Sequence, residues 1–450
     1  MFNKVLIANR GEIAVRIVRA CQELGLRAVV AYSQADRDSL AVRLADEAVC
    51  IGPAAPSRSY LNIPALISAA LITGCDAIHP GYGFLSENAY FAEICNECNL
   101  KFVGPSPEAI RLMGDKATAR QTMRDAGMPI IPGSDGVLRN LEEAIDLART
   151  IGYPVLLKAV AGGGGRGMRV VQDENELTRA FPTARAEAEA AFGQGDLYME
   201  RYLTGMRHVE VQVLADEHGN AIHLGERDCS IQRRHQKIIE EGPSPAVSPE
   251  LREAMGQAAV AGIKSINYAN AGTLEFLLGP DNQFYFMEMN TRIQVEHPVT
   301  ELITGVDLVK WQLQIAAGER LTLTQKDVRI RGHAIECRIN AEDPARDFLP
   351  SAGEIEFFLP PGGPGVRIDT HLYAGYTPPG VYDSLLAKVI TWGEDRDEAL
   401  ARMRRALSEC IITGVTTTMP FQLELLSEPT FQRGECDLSF LPALMQRQRG

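Results

Sequence analysis

The sequence predicts an α/β (α+β) protein of about three domains: an open α/β domain, a central region of mixed strands and helices, and a strand-rich C-terminal domain. Three observations lead there. The chain has 450 residues, against a usual ~150 per domain. It begins with a strand–helix–strand unit. After about residue 114 its pattern changes to closely spaced strands and hairpins.

Residues 4 to 8, Lys-Val-Leu-Ile-Ala, read as a buried parallel strand. Ile13, Ile17, Ala20 and Leu24 recur at helical spacing from Glu12, and Gly25 closes that helix. Arg27 to Tyr32 is the next strand, which completes a βαβ unit. Further strands are expected at Glu47 to Ile51, Ala77-Ile78 and Phe102-Val103, with a helix at Ile63 to Leu71. The first 113 residues therefore form an open α/β domain. Its first strand–helix turn, Asn9-Arg10-Gly11, has one glycine and not the G-x-G-x-x-G of a dinucleotide site.

From 114 two helical stretches flank Gly133-Ser-Asp-Gly136. Strands follow at Val155 to Ala159, 168 to 172, 196 to 214 and 220 to 231. A helix spans 250 to 268 and a hairpin 272 to 290. The third region begins near Arg329. It holds the turn cluster Pro360-Pro-Gly-Gly-Pro-Gly365 and an amphipathic helix from about Glu398 to Glu409.

Forty-five basic and 58 acidic residues give a net charge of -13. That argues against a nucleic-acid binder, which needs a basic face, while allowing a small basic pocket for one nucleotide. No apolar run approaches the ~18 residues of a membrane span, and the start has neither the core nor the cleavage site of a signal peptide. Nine scattered cysteines read as reduced cytoplasmic thiols. Cys95-x-x-Cys98 lacks the second pair that a zinc site needs.

The strongest local signal is Gly162-Gly-Gly-Gly165-Arg166-Gly167. A strand follows it, so the dinucleotide reading fails, and the absence of G-K-[ST] excludes a P-loop. A glycine hairpin tip can lay backbone N–H groups over phosphates, and Lys158 at the end of the preceding strand can reach them as a point charge.

Glu275 on one strand and Glu288 and Asn290 on the next flank the turn Gly279-Pro-Asp-Asn282. If 278 pairs with 283, the two glutamates become diagonal neighbours ~7 Å apart on one face, and Asn290 points the same way. Phe284 and Phe286 then share the face of Glu288. Two carboxylates and an amide suit magnesium, which takes hard oxygen ligands. In an extended continuation Arg292, Gln294 and Glu296 join that face, with Pro298 favouring extended chain before it. They make a pocket for a small anion with a carboxylate placed as general base; a surface pair between Arg292 and Glu296 is the plainer alternative. Residues 225 to 241 are dense in charge of both signs. They read either as a solvated loop or as an anion site using His235 and Lys237.

Taken together, Asn9-Arg-Gly-Glu-Ile-Ala14, His79-Pro-Gly-Tyr-Gly-Phe-Leu-Ser-Glu-Asn88, Met113-Gly-Asp-Lys116, the glycine run, Glu226-Arg-Asp-Cys-Ser230, Arg233-Arg-His-Gln-Lys237, Glu288-Met-Asn-Thr-Arg-Ile-Gln-Val-Glu-His297 and Glu336-Cys-Arg-Ile-Asn-Ala-Glu-Asp-Pro344 resemble biotin carboxylase over residues 2 to 445. The resemblance implies an ATP-grasp fold with an N-terminal Rossmann-like open α/β domain (1–113), an ATP-grasp domain (114–329) with a mobile lid near 131–203, and a C-terminal domain (330–450). It implies ATP-dependent phosphorylation of bicarbonate to carboxyphosphate, followed by carboxylation of biotin on a carrier protein.

Carried over by position, the resemblance implies that Lys116, Lys158, Gly164 and Gly165 bind ATP phosphates. Glu200, Arg201, Tyr202 and Leu203 hold the adenine, and His208 and His235 contact the nucleotide. Glu275, Glu288 and Asn290 carry two magnesium ions, with manganese as an alternative. Lys237, Arg292, Gln294 and Val295 surround bicarbonate, Glu296 is its general base and Arg338 stabilises the biotin enolate. Gly242, Val160-Ala161 and Thr418 depart from the usual family residues without touching the chemistry.

The resemblance also implies a cytoplasmic homodimer working with a biotin carboxyl carrier protein and carboxyltransferase subunits. No lysine has methionine on both sides, so biotin is expected on a separate protein. The default acceptor is acetyl-CoA, in fatty acid synthesis; propionyl-CoA, pyruvate, urea and 2-oxoglutarate are alternatives. A different ATP-grasp carboxylate ligase is the runner-up, disfavoured by Arg292, Gln294, Glu296 and Arg338 together. A non-catalytic nucleotide-binding protein would lack one of Glu275, Glu288, Arg292 or Glu296, and all are present.

Overall fold

The computed structural model describes residues 2–160 and 167–449. Gly164 and Gly165 lie outside the described residues.

The N-terminal part is a five-stranded parallel sheet, order β3-β2-β1-β4-β5, from Lys4–Ile7 (β1), Arg27–Ser33 (β2), Glu47–Gly52 (β3), Ala77–His79 (β4) and Lys101–Phe102 (β5). Val5, Leu6 and Ile7 are fully buried, as strands covered on both faces by helices must be. The helix Gly11–Glu23 returns the chain to β2, and Gly25 leaves it at φ +72°, a conformation that costs glycine little.

A small three-stranded antiparallel sheet follows, with Val155–Ala159 (β6) between Met168–Val171 (β7) and Leu197–Arg201 (β8). The described residues thus bring the glycine run's two flanking strands together as a hairpin.

The centre of the molecule is an eight-stranded antiparallel sheet, order β13-β12-β9-β10-β11-β14-β19-β18. Its strands are Arg207–Ala215 (β9), Ala221–Arg233 (β10), Gln236–Gly242 (β11), Asn270–Leu278 (β12), Phe284–Asn290 (β13), His333–Asn340 (β14), Val366–Thr370 (β18) and Leu385–Gly393 (β19). Between β14 and β18 lie the short pair Glu342–Asp343 (β15) and Leu349–Pro350 (β16), and Phe357–Leu359 (β17), which pairs with Ile411–Thr413 (β20). The sheet runs without a break across residue 329, because β11 pairs with β14. Among the described residues, no helix is long and apolar enough to cross a membrane.

The structure corrects two expectations. Residues 225 to 241 are not a solvated loop but the buried strands β10 and β11, turned by Arg234 and His235 at φ +49° and +67°. Two consecutive left-handed residues make the tight hairpin turn that matches strand twist. The segment after Asn290 is also not extended. It bends, and Glu296 at φ -81°, ψ 11° becomes the N-cap of the helix His297–Thr304, with Pro298 in its first turn, where a missing N–H costs nothing.

Candidate active site

The hairpin β12–β13 supplies the first acids. Its register sets Leu278 opposite Phe284, and Glu275 opposite Glu288, with an irregularity between Glu275 and Phe276 that leaves Met287 unpaired. The glutamates are thus direct neighbours and not diagonal ones. The bulge also separates them from the aromatics: Phe284, Phe286 and Met289 pack into the core, Met287 is exposed, and Glu288 and Asn290 look the other way. A bulge of one residue shifts the inward–outward alternation, which strict counting along the strand misses.

Glu275 is buried and held on all sides. Its Oε1 accepts from Asn290 Nδ2 and Gln294 Nε2, each at 2.8 Å. Lys237 Nζ lies 3.3 Å from Oε1, and His208 Nε2 3.1 Å from Oε2. Burial pushes its carboxyl up, but Lys237 and His208 more than offset this and hold it well below the usual range. Glu288, half-exposed, meets Lys116 Nζ at 3.2 Å. Asp115 caps the helix Lys116–Asp125, which places Lys116 at its first residue.

Beneath the hairpin, alternation along β9 puts His208, Glu210 and Gln212 on one face and Val209, Val211 and Val213 on the other. Glu210 is opposite Glu275 in β12 and Arg227 in β10. Its Oε1 accepts from Arg227 Nε at 2.7 Å, and its Oε2 from Lys237 Nζ at 2.6 Å. Arg227 is fully buried and donates further to Gln212 Oε1 (2.9 Å), Thr300 Oγ1 (2.7 Å) and Gln294 Oε1 (3.0 Å).

Glu296 completes the cluster. Its Oε1 accepts from Lys237 Nζ at 2.5 Å and its Oε2 from Arg338 Nη2 at 2.8 Å. Arg338 Nε also lies 2.5 Å from Glu240 Oε1. Burial pushes the Glu296 carboxyl up; Lys237, Arg338 and Arg227 outweigh it and keep the group ionised. Lys237 moves the opposite way, its ammonium held far above its ordinary value despite burial by Glu210, Glu296 and Glu275. Arg292 does not pair with Glu296. Its Nε donates to Glu87 Oε2 at 2.9 Å and its Nη2 to Asn290 Oδ1 at 2.8 Å.

The structure therefore brings Lys237, Glu275, Glu288, Asn290, Arg292, Gln294, Glu296, Arg338 and His208 into one cluster, with Lys116 at its edge. Val295 sits in the turn between Gln294 and Glu296. Lys158 and Glu200 form an ion pair on the three-stranded sheet, where Arg120 also reaches Glu200. Arg201, Tyr202 and Leu203 follow at the end of β8, with the Tyr202 N–H donating to Pro154 O at 2.9 Å. His235 is exposed at the tip of the β10–β11 turn. Sequence reasoning missed Glu210, Arg227, Glu240, Glu87 and Arg120. For Glu210 the signal was present, since 208, 210 and 212 alternate with valines.

Known families match most of the chain. Residues 1–110 match the family described as "Biotin carboxylase, N-terminal domain", residues 336–443 "Biotin carboxylase C-terminal domain", and residues 115–324 "Carbamoyl-phosphate synthase L chain, ATP binding domain". The chain is 60% identical to a biotin carboxylase of Nostoc sp. over 440 residues, 98% of each protein. The chain belongs to the biotin carboxylase family. As a biotin carboxylase of ATP-grasp fold it is an ATP-dependent ligase.

Other biotin carboxylase relatives serve different acceptors. The chain is 55% identical to one of the pyruvate carboxylase subunits of Methanothermobacter thermautotrophicus, over 98% of this chain and 90% of that one. It superposes with TM-score 0.91 and 51% identity, over 98% of both chains, on the biotin carboxylase domain dimer of a Hydrogenobacter thermophilus 2-oxoglutarate carboxylase, solved with MgADP, ADP and bicarbonate.

Proposed function

We propose that this biotin carboxylase carries out the first half-reaction of acetyl-CoA carboxylase in the cytoplasm. ATP phosphorylates bicarbonate to carboxyphosphate, and the carboxyl group passes to the ureido nitrogen of biotin on a separate carrier protein. Carboxyltransferase subunits then transfer it to acetyl-CoA, giving malonyl-CoA for fatty acid synthesis. The observation that carries the reading is the triad of Lys237 and Arg338 on the two oxygens of Glu296. It combines a carboxylate held ionised with two cations facing one small space, which suits an anion that must lose a proton.

In this reading Glu296 takes the proton of bicarbonate. Lys237, Arg292, Gln294 and the Val295 backbone orient the anion, and Arg338 faces the enolate oxygen of biotin. Fixed cations beside developing negative charge need no reorganisation during reaction. Lys116 and Lys158 hold ATP phosphates, Glu200 to Leu203 receive the adenine, and His208 and His235 lie along the nucleotide. The donor set Glu275, Glu288 and Asn290, hard oxygens on one face, fits magnesium, with manganese as an alternative. Magnesium ions there would neutralise phosphate charge, which is the main demand of phosphoryl transfer. A homodimer is the proposed assembly, supported by the dimer described for the Hydrogenobacter relative.

The test is phosphate release from ATP and magnesium, with and without bicarbonate and free biotin. Release that requires bicarbonate and rises with biotin supports the reading. Release indifferent to both overturns it. Acceptor choice is then read by adding the carrier and carboxyltransferase proteins with acetyl-CoA, pyruvate or 2-oxoglutarate and identifying the carboxylated product.

A further inference from the structure

Lys388 has no part in the chemistry above, yet it is a wholly buried ammonium at the heart of the molecule. Burying such a group is costly unless it is paired. On β19 it lies directly opposite Arg338 of β14, so two cations stand side by side on one face of the central sheet. They grip consecutive residues of one turn. Arg338 Nη2 holds the Glu296 carboxylate at 2.8 Å, and Lys388 Nζ donates to the carbonyl of Val295 at 2.7 Å.

The charge on Lys388 is supplied with partners from two other elements. Glu12 Oε1, in the first turn of the helix Gly11–Glu23, lies 3.1 Å away. Asp369, opposite it on β18, has Oδ2 at 3.8 Å. Both carboxylates are themselves anchored. The Tyr82 hydroxyl donates to Glu12 Oε1 at 2.5 Å, and Arg367 donates to both oxygens of Asp369 at 2.9 and 2.7 Å. Arg367 Nη1 also reaches Glu301 Oε2 at 2.7 Å, in the very helix that Glu296 caps. An apolar side chain at 388, with Glu12 neutralised as well, could fill the same volume at little cost to stability. What it could not do is hold the Val295 carbonyl.

We propose that Lys388 is a positioning residue for Glu296: by fixing the Val295–Glu296 peptide against the central sheet it sets where the base stands relative to Lys237 and Arg338. Glu12 keeps the ammonium aimed, which ties the N-terminal sheet to the turn. The proposal rests on the reading of Glu296 as the base.

Lys388→Met tests it alone and together with Glu12→Gln, the pair removing the buried carboxylate left without its cation. Thermal unfolding checks the fold. Amide hydrogen exchange over residues 293–299 in the ligand-free protein reads the turn itself, and bicarbonate-dependent phosphate release reads the consequence. The double variant should fold and exchange faster at 293–299 while β9 to β12 stay protected. Its kcat should fall roughly 100-fold, the loss that a displacement of about 1 Å produces, with a raised KM for bicarbonate and an unchanged KM for ATP. Wild-type exchange and kinetics in a folded double variant would overturn the proposal, as would failure of both variants to fold, which marks a purely structural role. If the unmodified enzyme shows no bicarbonate dependence, the reading of Glu296 fails, while the exchange result still decides whether Lys388 fixes the turn.

Discussion

Lys237 Nζ lies 2.5 Å from Glu296 Oε1, and the same ammonium reaches Glu210 Oε2 at 2.6 Å. One lysine thus neutralises the proposed base and a second buried acid together. With Arg338 on its other oxygen, Glu296 stays ionised, ready to accept a proton but held in place. Glu296→Gln keeps the shape and loses the acceptor. It should retain ATP binding and lose bicarbonate-dependent phosphate release by about 10²–10⁴-fold, the range for a general base. Near-normal turnover by a phosphate-release assay would remove the assigned role.

Arg338 joins Glu296 to Glu240, whose carboxyl is pushed up to about 7 by burial, with Arg338 opposing and Glu296 adding to the rise. Arg338→Gln should therefore do more than remove the cation proposed to face biotin. It leaves Glu240 without its partner. Carboxylation of free biotin should fall further than bicarbonate-dependent ATP cleavage, because only the former develops charge at the enolate oxygen. Following both products in one reaction mixture decides the matter; equal loss of both would argue against the enolate role.

Much of this site was legible in the sequence, and the reasons differ residue by residue. Glu275, Glu288 and Asn290 were found because hard oxygens on neighbouring strands have a recognisable spacing. Their register was misjudged twice: Leu278 pairs with Phe284 and not with 283, and nothing in Gly279-Pro-Asp-Asn282 announces the bulge at Met287 further along the strand. The β10–β11 hairpin was hidden by its turn, since Arg234-His235 lacks the Asn or Gly that usually marks positive φ. Arg227 was invisible as a core residue: an arginine in a charged stretch reads as solvated until the fold surrounds it with Glu210, Gln212, Gln294 and Thr300.

That burial makes Arg227 a stability determinant as well. Arg227→Met preserves much of the volume but leaves Glu210 with Lys237 alone and strips Gln294 of its donor. Removing one partner of a buried ion pair costs about 3–5 kcal/mol. Urea unfolding followed by circular dichroism should show the midpoint displaced downward. A midpoint within error of the unmodified protein would mean that the buried network contributes little to stability.

The pH dependence of stability has an identifiable contributor away from the site. Glu241 lies under His333 Nε2 at 2.7 Å and Arg396 Nε at 2.6 Å. Burial pushes its carboxyl up, but these two partners bring it down from 4.5 to about 2. A carboxyl depressed in the folded state stabilises above its unfolded pKa, and the contribution fades as pH falls from about 4.5 towards 2. Its size at neutral pH is roughly 3 kcal/mol, from ~1.4 kcal/mol per unit. Glu241→Gln should therefore be less stable than the unmodified protein at pH ~7, and the gap should narrow on acidification below about 4.5. Melting temperatures of both proteins across that range give the answer; a constant gap would assign the acid sensitivity elsewhere.

Metal dependence separates the two hairpin acids. Glu275 is ringed by Lys237, His208, Asn290 and Gln294, whereas Glu288 is half-exposed with Lys116 as its one ion-pair partner among the described residues. Glu288→Gln should leave the fold intact and raise the magnesium concentration needed for half-maximal phosphate release. Altering a residue that merely supports a metal ligand costs roughly 10–100-fold in affinity, and losing a direct ligand should cost no less. Glu275→Gln removes one of the three anions that balance Lys237 and the acceptor of Asn290 and Gln294, so it should lower thermal stability in addition to metal affinity. Magnesium titrations at saturating ATP, beside melting curves for each variant, distinguish the two. An unchanged magnesium requirement in Glu288→Gln would exclude that carboxylate from the metal site and leave it as the partner of Lys116.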